Sequence, residues 1–349
     1  MKKQTSLSKI LLIVAGIAVL AGGGVGIAAY IESRSEAAPE DAGQALSIAD
    51  MEAAEQEKAS VMESAKAENT ITYNGESYVY NDDLEVLLII GVDDYEVTDY
   101  EETGRSHSQA DLLLLAIFDD KTKTYTLLQI NRDTMTDTMV YDYFGKYEGL
   151  MTQQIALAHT YRSGLEDSCE DTVFAVSNLL YGVDISKYFC LTMTSIPIIN
   201  DSVGGVTVTI EDDFSEIDDT LVMGETITLQ GSQAESYVRG RMSVVNDPTN
   251  INRMSRQREY LTAILPMLGA EIAADDSFAL DLFDQLSPYM VTDCTVDELS
   301  EYIEKFSGYT LDKIVTPEGE SVKGEEFMEF YIDETDLRAI VIDLFYEKA

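Results

Sequence analysis

The chain has 349 residues, the length of about two domains or of one large domain with extensions. Its 64 acidic residues against 23 basic ones give a net charge of −41, which leaves no room for a nucleic-acid binder, because phosphates need basic surface. An apolar fraction of 45 % supplies a sizeable core and excludes wholesale disorder. The only histidines are His107 and His159, and the cysteines are Cys169, Cys190 and Cys294 with no CxxC among them. A His/Cys zinc site is therefore not expected, and a Ser-His-Asp triad has few candidates. The cysteines read as small buried hydrophobes; in an oxidising compartment Cys169 and Cys190 could instead pair, leaving Cys294 over.

At the N-terminus, Ile10 to Ile31 runs without a charge. As a helix it spans roughly 33 Å, against a hydrocarbon core of about 30 Å. Lys2, Lys3 and Lys9 precede it and Glu32, Glu36, Glu40 and Asp41 follow it, so the positive-inside rule places residues 1–9 in the cytoplasm and everything after the span outside. A cleaved signal peptide with its site near Gly26-Ile27-Ala28 is the rival reading; the length of the run favours a retained transmembrane anchor. Residues 32–68, rich in Ala, Glu and Ser, carry ten acids and three bases and read as an extracellular, partly helical stalk.

After Glu68 the pattern becomes globular. Thr70 to Tyr80, broken by Asn74-Gly75, predicts a hairpin. Leu84–Val92, Leu112–Phe118 and Tyr125–Ile130 are continuous rather than alternating apolar runs, the mark of strands buried on both faces. Helices are predicted at Ser168–Tyr181, Ser232–Arg239, Asn252–Ala273 and Ser277–Leu286, with strands at Tyr188–Met193 and Gly205–Ile210. Beyond Thr292 come helices at Val296–Phe306 and Glu334–Tyr346 and strands at Thr310–Val315 and Glu326–Ile332. The fold class is α/β: a three-layer α/β/α sandwich with a mixed central sheet, occupying residues 69–290, with residues 291–349 as a C-terminal α/β extension packed on it.

Two features point to chemistry. Five of the ten arginines (Arg239, Arg241, Arg253, Arg256 and Arg258) fall within 20 residues, and guanidinium groups suit phosphate oxygens; pairing with the abundant carboxylates is the alternative. On a helix Arg253 and Gln257 share a face while Arg256 points elsewhere. The second feature is charge at strand ends. Asp93 and Asp94 follow the first buried strand, Asp111 opens the next, and Arg132 and Asp133 follow the third. Ligands of open α/β sheets collect at strand carboxyl ends, and Asp111 reaches that end only if its strand is antiparallel. A turn or cap is the ordinary role of any one such Asp. Together, carboxylates for Mg²⁺ and arginines for oxyanions are the equipment of phosphoryl transfer.

The ordered series GVDD, SQADLLLLAI, LLQINRDTM, VGGV, LQGSQAESYVRGR and NRMSRQREYL, over roughly residues 84–265, resembles the LytR-CpsA-Psr (LCP) family. The resemblance implies a membrane-anchored enzyme, acting outside the cell, that moves an anionic glycopolymer from a polyprenyl-pyrophosphate carrier to a peptidoglycan hydroxyl. It implies an apolar lipid pocket, whose walls are expected from segments 172–200 and 254–268. It implies Asp93 and Asp111 as Mg²⁺ ligands and Arg132, Arg239, Arg241, Arg253 and Gln257 as pyrophosphate ligands, with Arg132, Arg239, Arg241 and Asp111 catalytic. Asp133 reads as structural. Gln109 stands where the family often has arginine, within a pyrophosphate-binding position that Arg105 could supplement, and Asn250 stands where aspartate is frequent. Two alternatives remain: a non-catalytic polyprenyl-phosphate binding module, and a pyrophosphate hydrolase.

Overall fold

The computed structural model describes residues 48–349 except 65–67, 100–105, 107, 143, 241–248, 276, 307 and 326. The expected cytoplasmic tail and transmembrane run, the first half of the stalk, and Arg105 and Arg241 lie outside the described residues. Among the described residues no helix is long and apolar enough to cross a membrane.

Helix α1 (Ile48–Ser64) leads into the hairpin β1 (Thr70–Tyr73) and β2 (Glu76–Tyr80). Its Asn74-Gly75 turn has φ of 51° and 81°, positive at both central residues as a type I′ turn requires. The three apolar runs become β3 (Leu84–Val92), β4 (Ala110–Asp119) and β5 (Thr124–Ile130). A second hairpin, β6 (Met135–Tyr141) and β7 (Tyr147–Gln154), and a 3-10 helix, Ile155–Tyr161, precede α2 (Glu166–Leu179); neither is foreseen by the apolar pattern. Then come β8 (Lys187–Leu191), α3 (Ser195–Ser202), the short pair β9 (Thr207–Thr209) and β10 (Thr226–Thr228), α4 (Ser232–Arg239), α5 (Ile251–Ala274) and α6 (Phe278–Leu286). The C-terminal elements are β11 (Met290–Thr292), α7 (Val296–Phe306), β12 (Thr310–Val315), the hairpin β13 (Gly319–Lys323) and β14 (Met328–Ile332), α8 (Glu334–Phe345) and β15 (Tyr346–Lys348).

The central sheet has the order β11-β8-β3-β4-β5-β12. It is mixed: β4 is antiparallel to both β3 and β5, whereas β3 is parallel to β8 and β5 to β12. Side chains alternate across a strand, so each continuous apolar run feeds two cores. Leu87, Ile89, Leu112, Leu114, Ala116 and Phe118 face α3, α4, α5, α6 and α7. Val86, Leu88, Ile90, Leu113, Leu115 and Ile117 face the 3-10 helix, α2 and α8. Helical layers thus cover both sides of the sheet.

Residues after 290 complete this sheet as well as packing on it. β11 and β12 are its two edge strands, Leu337, Val341 and Phe345 of α8 enter one core, and Phe306 of α7 stacks on Phe118 at 4.4 Å. The described part of the stalk also docks. Ala54 of α1 is buried with Met139, Tyr141, Tyr147 and Phe174, and Lys58 pairs with the buried Asp171 of α2 at 3.2 Å. Val61 packs against the same cluster.

A capping box fixes the start of α7. Glu298 Oε2 accepts from the Thr295 N–H at 2.9 Å, and the Glu298 N–H donates to Thr295 Oγ1 at 3.3 Å. Lys187 of β8 adds an ion pair at 2.9 Å. The Thr295 amide first, then Lys187, hold the Glu298 carboxyl at about 2 against an ordinary 4.5. The linked stability is complete above pH 4.5 and is lost as pH falls through about 2. An NMR titration of the Glu298 carboxyl should give a midpoint near 2, and a midpoint near 4.5 would show that this box does not hold in solution.

Candidate functional site

The antiparallel arrangement brings three strand ends together. Val92 of β3 pairs with Ala110 of β4, and Leu113 of β4 with Ile130 of β5. Asp93, Asp111 and Arg132 therefore share one end of the sheet. The Asp93 N–H donates to the Gln109 carbonyl at 3.3 Å, and the Gln109 N–H donates to Asp93 Oδ1 at 2.7 Å. Arg132, 1 % exposed, ion-pairs through Nη1 with Asp111 Oδ1 and donates through Nη2 to Gln109 Oε1. Its Nε lies 3.3 Å from Asp133 Oδ1. Asp133 also accepts from Gln154 of β7 at 3.0 Å, in keeping with a structural role.

The first turn of α5 delivers the second arginine. Arg253 Nη1 stands 3.8 Å from Asp111 Oδ2, so the carboxylate lies between two buried guanidinium groups. Asn250 Oδ1 accepts from Arg253 Nε at 2.6 Å, and Asn250 Nδ2 donates to Asn131 Oδ1 at 3.2 Å. These bonds lock the helix start onto the end of β5. The positive end of the helix dipole adds to the field there. One turn on, Gln257 accepts from Gln129 Nε2 at 2.9 Å and donates to the Val238 carbonyl at 3.5 Å, bridging β5 to the last turn of α4. Arg256 points away, as its helical position predicts. It donates to the Tyr237 carbonyl at 3.1 Å and to Asp212 at 2.6 Å, and also to the Gly240 carbonyl, so it closes the C-terminal end of α4.

Arg239 occupies that same last turn. It pairs with Glu235, donates to Tyr95 Oη at 3.1 Å and lies over the Tyr95 ring at 5.7 Å. Its Nε is buried with no hydrogen-bond partner among the described residues. Tyr95 is held in turn through its carbonyl, which accepts from Thr192 Oγ1 at 3.2 Å and Thr194 Oγ1 at 2.5 Å. Asp93, Gln109, Asp111, Arg132 and Arg253 thus converge directly, while Gln257 ties β5 to the turn that carries Arg239. Gln109 accepts from Arg132 through its side-chain oxygen and donates its backbone N–H to Asp93, so it orients both. Tyr95 is an addition that no motif announced, and Asn131 lies within LLQINRDTM with no role read from it.

Burial raises the Asp93 carboxyl above the ordinary carboxylate value, against the Gln109 amide and Arg132, which lower it. Asp111 Oδ2 is buried with no hydrogen-bond donor among the described residues. Two carboxylates, one with an orphaned oxygen, form a hard oxygen donor set that fits Mg²⁺; an ion there competes with Arg132 and Arg253 for Asp111.

The segments expected to supply apolar walls divide between the two faces of the sheet. Ala175 and Val176 of α2 pack on one face of the sheet, whereas Leu261, Ile264 and Leu268 of α5 pack on the other with Ile196 and Ile199 of α3. Segments 172–186 and 254–268 are separated by the sheet and cannot line one groove. Continuous apolar strands feed both faces, so periodicity does not reveal which helix covers which.

Removing Asp111 leaves Arg132 and Arg253 buried without their shared counterion. Asp111→Ala should cost about 3–5 kcal/mol in urea unfolding. The Asp111→Ala/Arg132→Met pair should cost less than the sum of the two single variants; additivity would refute the coupling.

The LytR_cpsA_psr family matches residues 46–340. The chain is 29 % identical over 262 residues to the polyisoprenyl-teichoic acid–peptidoglycan teichoic acid transferase TagU of Bacillus licheniformis, covering 74 % of this chain and 76 % of that protein. It is 30 % identical over 223 residues to TagU of Bacillus subtilis, a match that spans 64 % of each chain and so less than two thirds of that relative. Among solved structures, TagT bound to LI-WTA superposes with a TM-score of 0.56 at 20 % identity, over 75 % of this chain and 90 % of that one. Bacillus subtilis TagV superposes with a TM-score of 0.55 at 23 % identity, over 76 % of this chain and 96 % of that one. The mixed α/β fold is shared with these proteins, and on the family match over most of its length the chain belongs to the LytR_cpsA_psr family.

Proposed function

We propose that the protein is a membrane-anchored phosphotransferase that moves a glycopolymer from a polyprenyl-pyrophosphate carrier to a peptidoglycan hydroxyl outside the cell. The observation that carries this reading is the convergence of Arg132, Arg253 and Asp111 at one sheet end, with Arg239 in the turn that Gln257 ties to β5. The naming of TagU relatives as teichoic acid transferases supports the polymer class. The uncharged run Ile10–Ile31 and its flanking lysines support the anchor.

In this reading the guanidinium groups of Arg132, Arg239 and Arg253, with Arg241 from the YVRGR motif, bind the pyrophosphate and neutralise its charge. Asp93 and Asp111 would hold Mg²⁺, which when bound draws charge from the leaving phosphate. The acceptor hydroxyl forms a bond to the phosphorus that carries the glycan. The bond from that phosphorus to the bridging oxygen breaks, and polyprenyl phosphate leaves. Gln109 and Asn250 keep Arg132 and Arg253 oriented, so the donors are fixed before charge develops. A polyprenyl chain lodging on the α5 side of the sheet has to part helices whose facing residues are fully buried. The neutral Gln109 favours a second reading, a carrier-binding module without turnover.

Incubating the full-length protein with Mg²⁺, labelled polyprenyl-pyrophosphate glycan and acceptor separates the two: multiple turnovers support the transferase, and stoichiometric binding alone supports the module. Arg239→Ala should lower transfer by about 10²–10³-fold with an unchanged unfolding midpoint. Undiminished transfer in that variant would contradict the assignment.

A further inference from the structure

Behind the carboxylate end of β3 lies a cluster that the proposed reaction does not use. His159 of the 3-10 helix, Cys169 of α2 and Cys190 of β8 come from three separate elements and meet in the core. Their exposures are 1 %, 0 % and 3 %. His159 Nε2 lies 3.8 Å from Cys169 Sγ and 3.7 Å from Cys190 Sγ, and the three ligand atoms all lie within 4.8 Å of one another. Both cysteines are free thiols.

The histidine tautomer is settled by its other nitrogen. Nδ1 sits 3.1 Å from the Ser108 carbonyl, which only accepts, so Nδ1 carries the proton. The lone pair of Nε2 is thereby aimed at the two sulfurs. A backbone carbonyl that orients the far nitrogen is the usual outer support of a histidine ligand. Ser106 Oγ, donating to the His159 carbonyl at 3.0 Å, fixes the same residue from the backbone side.

We propose that His159, Cys169 and Cys190 form a buried, three-coordinate site for a soft monovalent cation, copper(I). Metal–sulfur and metal–nitrogen lengths of about 2.3 and about 2.05 Å put each sulfur about 3.8 Å from the nitrogen in a planar trigonal site and about 3.6 Å in a tetrahedral one. The observed 3.7 and 3.8 Å lie within this range. Two thiolate-forming residues and an imidazole select soft ions over Mg²⁺ or Ca²⁺. No fourth His, Cys or carboxylate joins the group among the described residues, and the burial leaves no water route, so an ion that is content with three ligands fits better than tetrahedral zinc. Lower ionic charge also lowers the cost of burial. Binding displaces the thiol protons, as a thiolate ligand requires. Once bound, the ion ties the 3-10 helix, α2 and β8 together directly behind Ser108, Gln109 and Asp93.

The test is anaerobic titration of the reduced full-length protein in detergent with copper(I) against a competing chelator, followed by X-ray absorption at the copper edge. One copper per chain, with two sulfurs and one nitrogen in its shell, supports the site. Cys169→Ser and Cys190→Ser should each weaken binding at least about 100-fold, while Cys294→Ser leaves it unchanged. The spectrum of the unaltered protein decides the matter even where a serine variant fails to fold. Failure to take copper from the chelator, a shell without the S₂N set, loss of binding in Cys294→Ser, preferential retention of zinc with a fourth ligand, or a Cys169–Cys190 disulfide in the protein as secreted would each overturn the proposal.

Discussion

One buried carboxylate organises the functional end of this molecule. Asp111 lies between Arg132 and Arg253, which reach it from the end of β5 and from the first turn of α5. It is a shared counterion for two buried guanidinium groups, and taking away one partner of a buried ion pair costs several kcal/mol. The antiparallel course of β4 makes this possible. It carries the amino end of one strand to the carboxyl ends of its neighbours, so an acid that opens its strand meets an arginine that closes another.

Around that core, neutral side chains set direction rather than charge. Gln109 accepts from Arg132, Asn250 accepts from Arg253, and Asn131 joins Asn250. The side chains that orient the two guanidinium groups are thus neutral amides, and the charge at the site is carried by the arginines and carboxylates themselves. The chain as a whole carries a net charge of −41.

Most elements were legible because their patterns are local. α4, α7 and β12 fall where spacing predicts them, and the Asn74-Gly75 turn has the φ values its residues favour. The continuous apolar strands correctly announced burial on both faces. The same continuity concealed which helix covers which face, and so did not show that segment 172–200 divides between the two faces while segment 254–268 packs on one. The β6–β7 hairpin escaped because it is half exposed and carries polar residues such as Thr136, Asp137 and Gln153 where an apolar run was sought. At the site, the charged residues were readable from their motifs. Tyr95, which reaches Arg239 across 144 positions, carries no local signal, and neither does the meeting of His159, Cys169 and Cys190. Tertiary convergence of that kind has no spacing rule. The chain holds only two histidines, so the meeting of one of them with two cysteines shows in the fold and not in composition.

The most direct measurement is a crystal structure of the protein with a polyprenyl pyrophosphate and Mg²⁺. Phosphate oxygens in contact with Arg132, Arg239 and Arg253, at the shared end of β5, α4 and α5, are the predicted result. A pyrophosphate bound elsewhere, with Arg132 and Arg253 still closed on Asp111 and Arg239 still on Tyr95, would contradict the assignment of this end of the sheet as the place where phosphoryl transfer occurs.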